Sequence, residues 1–284
     1  MKRCTTLISP DELAECLGDP DLVVFDCRHD LARPEVGLRA YLATHIAGAQ
    51  FLHCDNDLSG PKSGRNGRHP LPEPEWFATL LAERGVHNES QVVGYDDADG
   101  IFAARLWWML RWLGHQDVAV LDGGFPAWVD AGLPRASGIE RRAEARFGYR
   151  LRTHAAVDTA FVEAHLHDPS ILLVDARAAD RFRGENETLD PVGGHIPDSV
   201  NRFFGENVDE EGRFKAPDLL REEYAALLGP HRPEQTIHTC GSGVTACHNL
   251  LAMEIAGLSG SKLYAGSWSE WCADAARAIA LGDT

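Results

Sequence analysis

The sequence contains itself twice. Residues 8–28, Ile-Ser-Pro-Asp-Glu-Leu-Ala-Glu-Cys-Leu-Gly-Asp-Pro-Asp-Leu-Val-Val-Phe-Asp-Cys-Arg, lie without a gap on residues 157–177, Val-Asp-Thr-Ala-Phe-Val-Glu-Ala-His-Leu-His-Asp-Pro-Ser-Ile-Leu-Leu-Val-Asp-Ala-Arg. Each copy starts at a helix-capping residue, Ser9 or Asp158, and runs through an apolar strand into Asp-x-Arg. The register persists: residues 44–49 match 194–199, Val92–Asp96 falls on Thr236–Cys240, and Asp122–Trp128 on Ala265–Trp271. A repeat of this length makes each copy a domain. Within a copy, short β-rich runs alternate with helical ones, as where Phe102–Gly114 follows the Val92 strand. That alternation predicts an α/β fold, each domain a mainly parallel sheet flanked by helices. The expected domains are residues 1–132 and 157–284, with a linker over 133–156.

The linker is polar and basic, with Arg135, Arg141, Arg142, Arg146, Arg150 and Arg152. Its Phe147, Tyr149 and Leu151 alternate like an edge strand or an extended segment that packs. Its arginines read as a solvated face.

The copies differ where it matters for chemistry. The first ends its central strand in Asp96, the second in Cys240. Thr236–Thr239 has the β-branched content of a strand, and Val244–Gly257 reads as a helix closed by glycine. Gly241 and Gly243 let the loop between them curl so that successive amides converge on an anion, and the helix start adds its positive end. Such a loop stabilises a thiolate and, by the same argument, a persulfide. A buried, inert cysteine is the alternative, but strand, paired glycines and helix start coincide here. Asp96 is then a remnant facing no substrate. Ser242 and Thr245 place hydroxyls near the sulfur, against the simpler reading of small polar residues that a tight loop tolerates, with Thr245 capping the helix. Trp107, Trp108 and Trp112 read as packing rather than a ligand box.

Composition narrows the setting. With 44% hydrophobic and 25% charged residues, 284 residues fold without staples. Cysteines at 4, 16, 27, 54, 240, 247 and 272 are odd in number, scattered and without a C-x-x-C pair, which argues for reduced thiols over disulfides or zinc. The first ten residues lack the apolar run of a signal peptide, and no stretch is apolar enough to span a bilayer, so a soluble, cytoplasmic protein of a bacterium or similar cell is expected. A net charge of −16 disfavours nucleic acid and anionic membranes as partners and requires a locally positive pocket for any anionic substrate.

Cys-Gly-Ser-Gly-Val-Thr (240–245), the paired Asp-x-Arg strands, His-Ile-Ala-Gly-Ala (45–49), Arg181-Phe-Arg-Gly184 and Gly266-Ser-Trp-Ser-Glu-Trp271 together resemble the tandem-domain rhodanese sulfurtransferases over essentially the whole chain. The loop is of the kind found in 3-mercaptopyruvate sulfurtransferases; thiosulfate sulfurtransferases typically carry Cys-Arg-Lys-Gly-Val-Thr. The resemblance implies a two-step transfer in which a small anionic donor gives sulfur to Cys240 and the persulfide passes it to a thiol, such as thioredoxin or a small thiol, or to cyanide. It makes Cys240 the nucleophile, Ser242 a helper in proton handling and Arg181 the group that holds the donor's negative end. Gly241, Gly243, Val244 and Thr245 complete the substrate loop. His45, at a motif that the family places near the domain interface, is a candidate for proton transfer; a structural histidine capping a strand–loop junction is the competing reading for it and for its counterpart His195. Asp26 and Asp175 read as backbone-anchoring carboxylates. No metal or organic cofactor is implied, and a monomer is expected.

Two features depart from the family pattern. Mercaptopyruvate enzymes usually have a second carboxylate-binding arginine before the second His-Ile-Pro, but here residues 185–193 are short and contain no arginine. Ala265 also stands where Asp is common before Gly-Ser-Trp. Among rivals, a cysteine-dependent phosphatase needs an arginine closing a C-x5-R loop, where this chain has Ala246. A non-catalytic binding module would fit better without Cys240. Mercaptopyruvate is the favoured donor, because Gly241 and Ser242 leave the loop without a positive side chain for a dianion; thiosulfate is the alternative.

Overall fold

A computed structural model describes residues 2–283. In the first copy the order is β1 (Leu7–Ile8), α1 (Pro10–Cys16), β2 (Leu22–Asp26), α2 (Glu35–Ala43), β3 (His45–Ile46), β4 (Gln50–Phe51), α3 (Pro74–Glu83), β5 (Gln91–Tyr95), α4 (Ile101–Trp112), β6 (Val118–Leu121), α5 (Gly124–Asp130) and β7 (Arg135–Ala136). The second copy runs β8 (Ala156–Val157), α6 (Thr159–Ala164), β9 (Leu172–Asp175), α7 (Ala179–Arg183), β10 (Ser199–Asn201), α8 (Pro217–Leu228), β11 (Thr236–Thr239), α9 (Thr245–Ile255), β12 (Lys262–Tyr264) and α10 (Ser267–Trp271).

The duplication read from sequence is a duplication of topology. One sheet has the order β1-β6-β5-β2-β4 and the other β8-β12-β11-β9-β10, with every neighbouring pair parallel. Position by position these are the same sheet, and the strand bearing Asp96 at its tip corresponds to the strand bearing Cys240. Strands β2 and β5 are buried along their whole length, as expected of parallel strands covered by helices. Caps follow the sequence: Ser9 and Glu12 form a capping box at α1, and Asp158 accepts the Phe161 N–H at α6.

Two compact units result. One comprises Met1–Gly60, Pro72–Arg152 and Val208–Phe214; the other comprises Pro61–Leu71, Thr153–Asn207 and Lys215–Thr284. Contiguous boundaries at 132/133 and 156/157 leave out two exchanges, since residues 61–71 pack with the second copy and 208–214 with the first. In the first unit the core around β1, β2, β5 and β6 contains Leu13, Val24, Val93, Tyr95 and Trp128. The second has the matching set Val162, Leu173, Ile237, Tyr264, Trp268 and Trp271. Trp107, Trp108 and Trp112 are buried on α4, with Trp108 and Trp112 stacked at 5.8 Å, which is packing.

Residues 141–150 form no strand. They are an extended segment that packs on the first unit, continuing to Arg152: Ala145 N–H donates to the Ala82 carbonyl, Arg150 N–H to Leu113 and Arg152 N–H to Trp112. Phe147 meets His115 edge to face, and Tyr149 is exposed.

Candidate active site

β11 ends at Thr239, and the next residue is held by backbone on both sides. The Cys240 N–H donates to Ser267 Oγ at 3.1 Å, and its carbonyl accepts the Trp268 N–H at 2.9 Å. The Gly241 carbonyl accepts the Ser269 N–H at 2.9 Å. Ser267 carries a positive φ of 53° and donates its hydroxyl to the Tyr264 carbonyl, so the Gly266–Trp271 motif is the clamp that shapes the loop. Gly243 is obligatory, because at φ +79° a Cβ there would stand 2.4 Å from the Ala265 carbonyl oxygen. Ala265 therefore matters through its backbone. The Gly243 N–H donates to Cys240 Sγ at 3.1 Å, and the sulfur lies in a residue only 2% exposed. The helix starts at Thr245, with Val244 as its cap and no side-chain cap bond; Thr245 is thus the first helical residue, not the cap. The N–H groups of that first turn add positive potential at the loop.

The first unit shows what this loop shape does to an anion. Asp96 stands where Cys240 does in the repeat, and its carboxylate accepts four backbone N–H groups, from Ala98 (2.8 Å), Gly100 (2.9 Å), Phe102 (2.8 Å) and Ala103 (2.9 Å). Burial pushes its carboxyl above the usual value while these four bonds pull against that. The remnant thus faces a cradle of amides, the arrangement expected around a thiolate at Cys240.

Ser242 is buried, and its Oγ lies 2.7 Å from His69 Nδ1. His69 comes from residues 61–71, the segment that joins the second unit. Its neighbour Arg68 donates its own N–H to Ser269 Oγ at 3.0 Å, and Gly67 packs against Gly266 so closely that a Cβ would come within 2.8 Å of the Gly266 carbonyl. Neither Arg68 nor His69 was expected from the sequence. The available signal was length: residues 52–73, between β4 and α3, contain no helix or strand, and long irregular segments in compact folds are often functional.

Arg181, on α7, is brought to the loop as expected. Its Nη2 and Nη1 lie 3.5 and 3.7 Å from the point a Gly241 Cβ would occupy. Its Nε and Nη2 are bound by Glu187, at 3.1 and 2.8 Å, and Asp190 lies 3.6 Å away. The short segment 185–193 thus supplies carboxylates where an arginine was missed. Burial opposes ionisation of Glu187, but the N–H groups of Leu189 and Asp190 together with Arg181 hold its carboxyl below the ordinary value. Burial dominates at Asp190, whose carboxyl is raised even though it accepts from Arg68. Arg183, two residues on, pairs with the exposed Glu185.

His45 belongs to the first unit, where its Nδ1 bonds the Tyr41 carbonyl at 2.7 Å and its ring stacks on Tyr41 at 4.2 Å. His195 repeats the arrangement, with Nδ1 on the Phe182 carbonyl at 2.8 Å and its ring on Phe182 at 3.7 Å. Each ring is thus held against the helix that precedes it, α2 or α7. The Asp-x-Arg pairs are likewise duplicated scaffolding. Asp26 and Asp175 each bind the backbone N–H and guanidinium of Arg28 or Arg177, and these arginines reach the Thr44 and Gly194 carbonyls. Of possible metal ligands among the described residues, His29, His53 and Asp55 of the first unit bring one atom each within 4.8 Å of one another. No helix among the described residues is long and apolar enough to cross a membrane.

Comparison with known proteins identifies the family. The Rhodanese-like domain family matches residues 9–131 and again 158–274. The chain is 46% identical over 279 residues, covering 98% of both sequences, to a probable 3-mercaptopyruvate sulfurtransferase of Pseudomonas aeruginosa. It is 34% identical, over 99% of this chain and 98% of the other, to a putative thiosulfate sulfurtransferase of Mycobacterium tuberculosis. The crystal structure of SseA from Escherichia coli, described with the rhodanese fold and mechanism of 3-mercaptopyruvate sulfotransferases, superposes with a TM-score of 0.82 at 33% identity, covering 93% of this chain and 99% of that one. Two rhodanese-like domains in tandem, with the cysteine loop intact in the second alone, make this chain a member of the rhodanese family.

Proposed function

We propose that the protein is a sulfurtransferase that takes sulfur from 3-mercaptopyruvate, carries it as a persulfide on Cys240 and delivers it to a thiol or to cyanide. The observation that carries this reading is the buried Cys240 sulfur receiving the Gly243 N–H at 3.1 Å, in a loop whose first-copy counterpart cradles a carboxylate. In the first half-reaction the Cys240 thiolate attacks the donor sulfur. An S–S bond forms, the donor C–S bond breaks, and the electron pair of that bond leaves on the methylene carbon as the enolate of pyruvate. The donor's thiol proton ends on that carbon, giving pyruvate and Cys240–S–S⁻. Ser242 and His69 provide a hydroxyl–imidazole path beside the loop for this proton. In the second half-reaction an acceptor thiolate or cyanide attacks the outer sulfur and regenerates the Cys240 thiolate. The loop amides hold negative charge in both forms.

Donor choice follows from charge. Gly241 and Ser242 carry none, but Arg68 and Arg181 stand by Gly241, and Glu187 and Asp190 stand against these arginines. Two guanidiniums offset by two carboxylates leave a site suited to a monocarboxylate rather than to the thiosulfate dianion. Seven free cysteines suit a reducing compartment such as the cytoplasm. The test is kcat/KM for 3-mercaptopyruvate and thiosulfate under identical conditions with cyanide as acceptor, together with mass analysis of Cys240. Mercaptopyruvate is expected to be the better donor, with one sulfur atom added at Cys240 when acceptor is withheld and no turnover in Cys240→Ser. Turnover by that variant would overturn the mechanism, and a preference for thiosulfate would overturn the donor.

A further inference from the structure

Strands β2 and β4 are parallel neighbours with Asp26 opposite Phe51, so the chain leaves both at the same edge of the first sheet. That edge is the carboxyl end of the strands, where open α/β sheets hold their ligands. His29 comes three residues past β2, and His53 and Asp55 come two and four past β4. One ligand atom from each lies within 4.8 Å of the other two. His29 Nε2 is 3.4 Å from Asp55 Oδ2, and the two imidazoles meet edge to face at 5.1 Å. The His29 side chain is fully buried and that of Asp55 is 19% exposed, so the group reaches from the interior to solvent. Aromatic rings pack on it: Phe102 lies edge to face with His29 at 5.1 Å, and Phe51 with His53 at 6.1 Å. The turn itself is fixed, because the His53 N–H donates to Asp57 Oδ2 at 2.7 Å and the Asp55 N–H to His53 Nδ1 at 3.1 Å. The repeat singles these residues out. In the same register the second copy has Ala178, Phe203 and Gly205, whose side chains cannot ligate an ion.

We propose that His29, His53 and Asp55 form a binding site for a divalent transition-metal ion such as Zn²⁺, on which the transfer chemistry at Cys240 does not call. Two neutral imidazoles and a carboxylate are donors that such an ion takes, and three protein ligands leave a coordination position for water or a solute. Ligand atoms about 2.0 Å from a tetrahedral ion stand about 3.3 Å from one another. The 3.4 Å pair already meets that spacing, and His53 has to close by at most about 1.5 Å from the 4.8 Å limit. Binding ends the Asp55 N–H bond to His53 Nδ1, since that nitrogen then carries either the ion or a proton, and the turn at 53–55 is the part that adjusts. The Asp55 carboxylate offsets one of the two charges of the ion, and the aromatic surroundings strengthen that attraction.

The test uses the full chain, stripped with chelator and kept reduced by a phosphine, titrated with Zn²⁺ by calorimetry and with Co²⁺ by absorption. Wild type is expected to bind one equivalent at this site, His29→Ala and His53→Ala to weaken it at least about 100-fold, and Asp55→Asn about 10-fold. Cobalt separates this site from the seven thiols, because nitrogen and oxygen ligands give d–d bands without a thiolate charge-transfer band. Wild type that binds neither ion overturns the proposal. So does wild-type affinity in both histidine variants, or a thiolate band that grows in with the first equivalent, since either places the ion elsewhere. If His29→Ala fails to fold, His53→Ala and Asp55→Asn decide, and wild-type affinity in both overturns it.

Discussion

Ser242 Oγ and His69 Nδ1 are 2.7 Å apart, although 173 positions separate the two residues in sequence. The serine sits two residues beyond the nucleophile, so its hydroxyl links the loop to an imidazole that can take up or return a proton. If the pair acts as a relay, Ser242→Ala and His69→Ala each lower kcat for 3-mercaptopyruvate by about 10- to 100-fold, with KM changed less than about threefold. The double variant should be little worse than the poorer single one, because the two side chains act as a unit. Additive losses in the double variant would show that they act separately.

Asp96 tests the loop without the chemistry. Its carboxylate is the acceptor for four buried N–H groups, and Asp96→Ala would leave all of them without a partner in a fully buried site. The expected cost is about 3–5 kcal/mol of stability, and Asp96→Asn, which keeps one accepting oxygen, should cost less than Asp96→Ala. Chemical denaturation of the three proteins measures this; equal stability of wild type and Asp96→Ala would show that the amides find other partners.

The parts of the site that lie within one repeat were legible. The β11 strand, the glycine pair, the helix and the Asp-x-Arg scaffold all follow from local pattern, and the aligned copies checked one another: a strand tip with Asp96 in one and Cys240 in the other marks the place where function diverged. What was not legible depends on docking. Residues 61–71 have glycine- and proline-rich loop character and no counterpart in the alignment, so nothing local shows that Arg68 and His69 come to Cys240 rather than to solvent. Glu187 and Asp190 are hidden for another reason: acidic residues in a short polar segment read as a solvated loop, and only the fold sets them against Arg181. The two histidines of the His-Ile motif are a third case: their duplication favoured a structural role, and each makes the same contact, Nδ1 on the carbonyl of Tyr41 or Phe182.

Gly243→Ala separates loop geometry from residue chemistry. The substitution forces φ +79° on an L-residue and drives a Cβ to 2.4 Å from the Ala265 oxygen, so the loop must open and withdraw the N–H now given to Cys240 Sγ. Gly229 is the control: at φ +54° it has nothing within 4 Å of the added carbon, and alanine there should cost only the backbone strain, about 1–3 kcal/mol. Gly243→Ala should cost more than that and reduce transfer at least about 100-fold, while Gly229→Ala keeps wild-type turnover. Near-normal turnover in Gly243→Ala would mean that the amide is dispensable.

His238 sets an acid limit on the second unit. It lies in β11 two residues before Cys240, wholly buried, with Nε2 3.0 Å from Met253 Sδ. Burial alone pushes its imidazole down from 6.5 to about 3. Between those values the unfolded chain takes up a proton that the folded protein refuses. The stability tied to neutral His238 is therefore complete above pH 6.5 and is lost progressively as pH falls toward 3. Each pH unit in that window corresponds to about 1.4 kcal/mol, or about 2 kcal/mol at pH 5 relative to neutral pH. His238→Leu removes the titrating group while keeping the site apolar. Urea unfolding of both proteins from pH 8 to pH 5 should show wild type losing about 2 kcal/mol more than the variant over that range. Parallel pH profiles would mean that His238 is solvated, or already partnered, when charged.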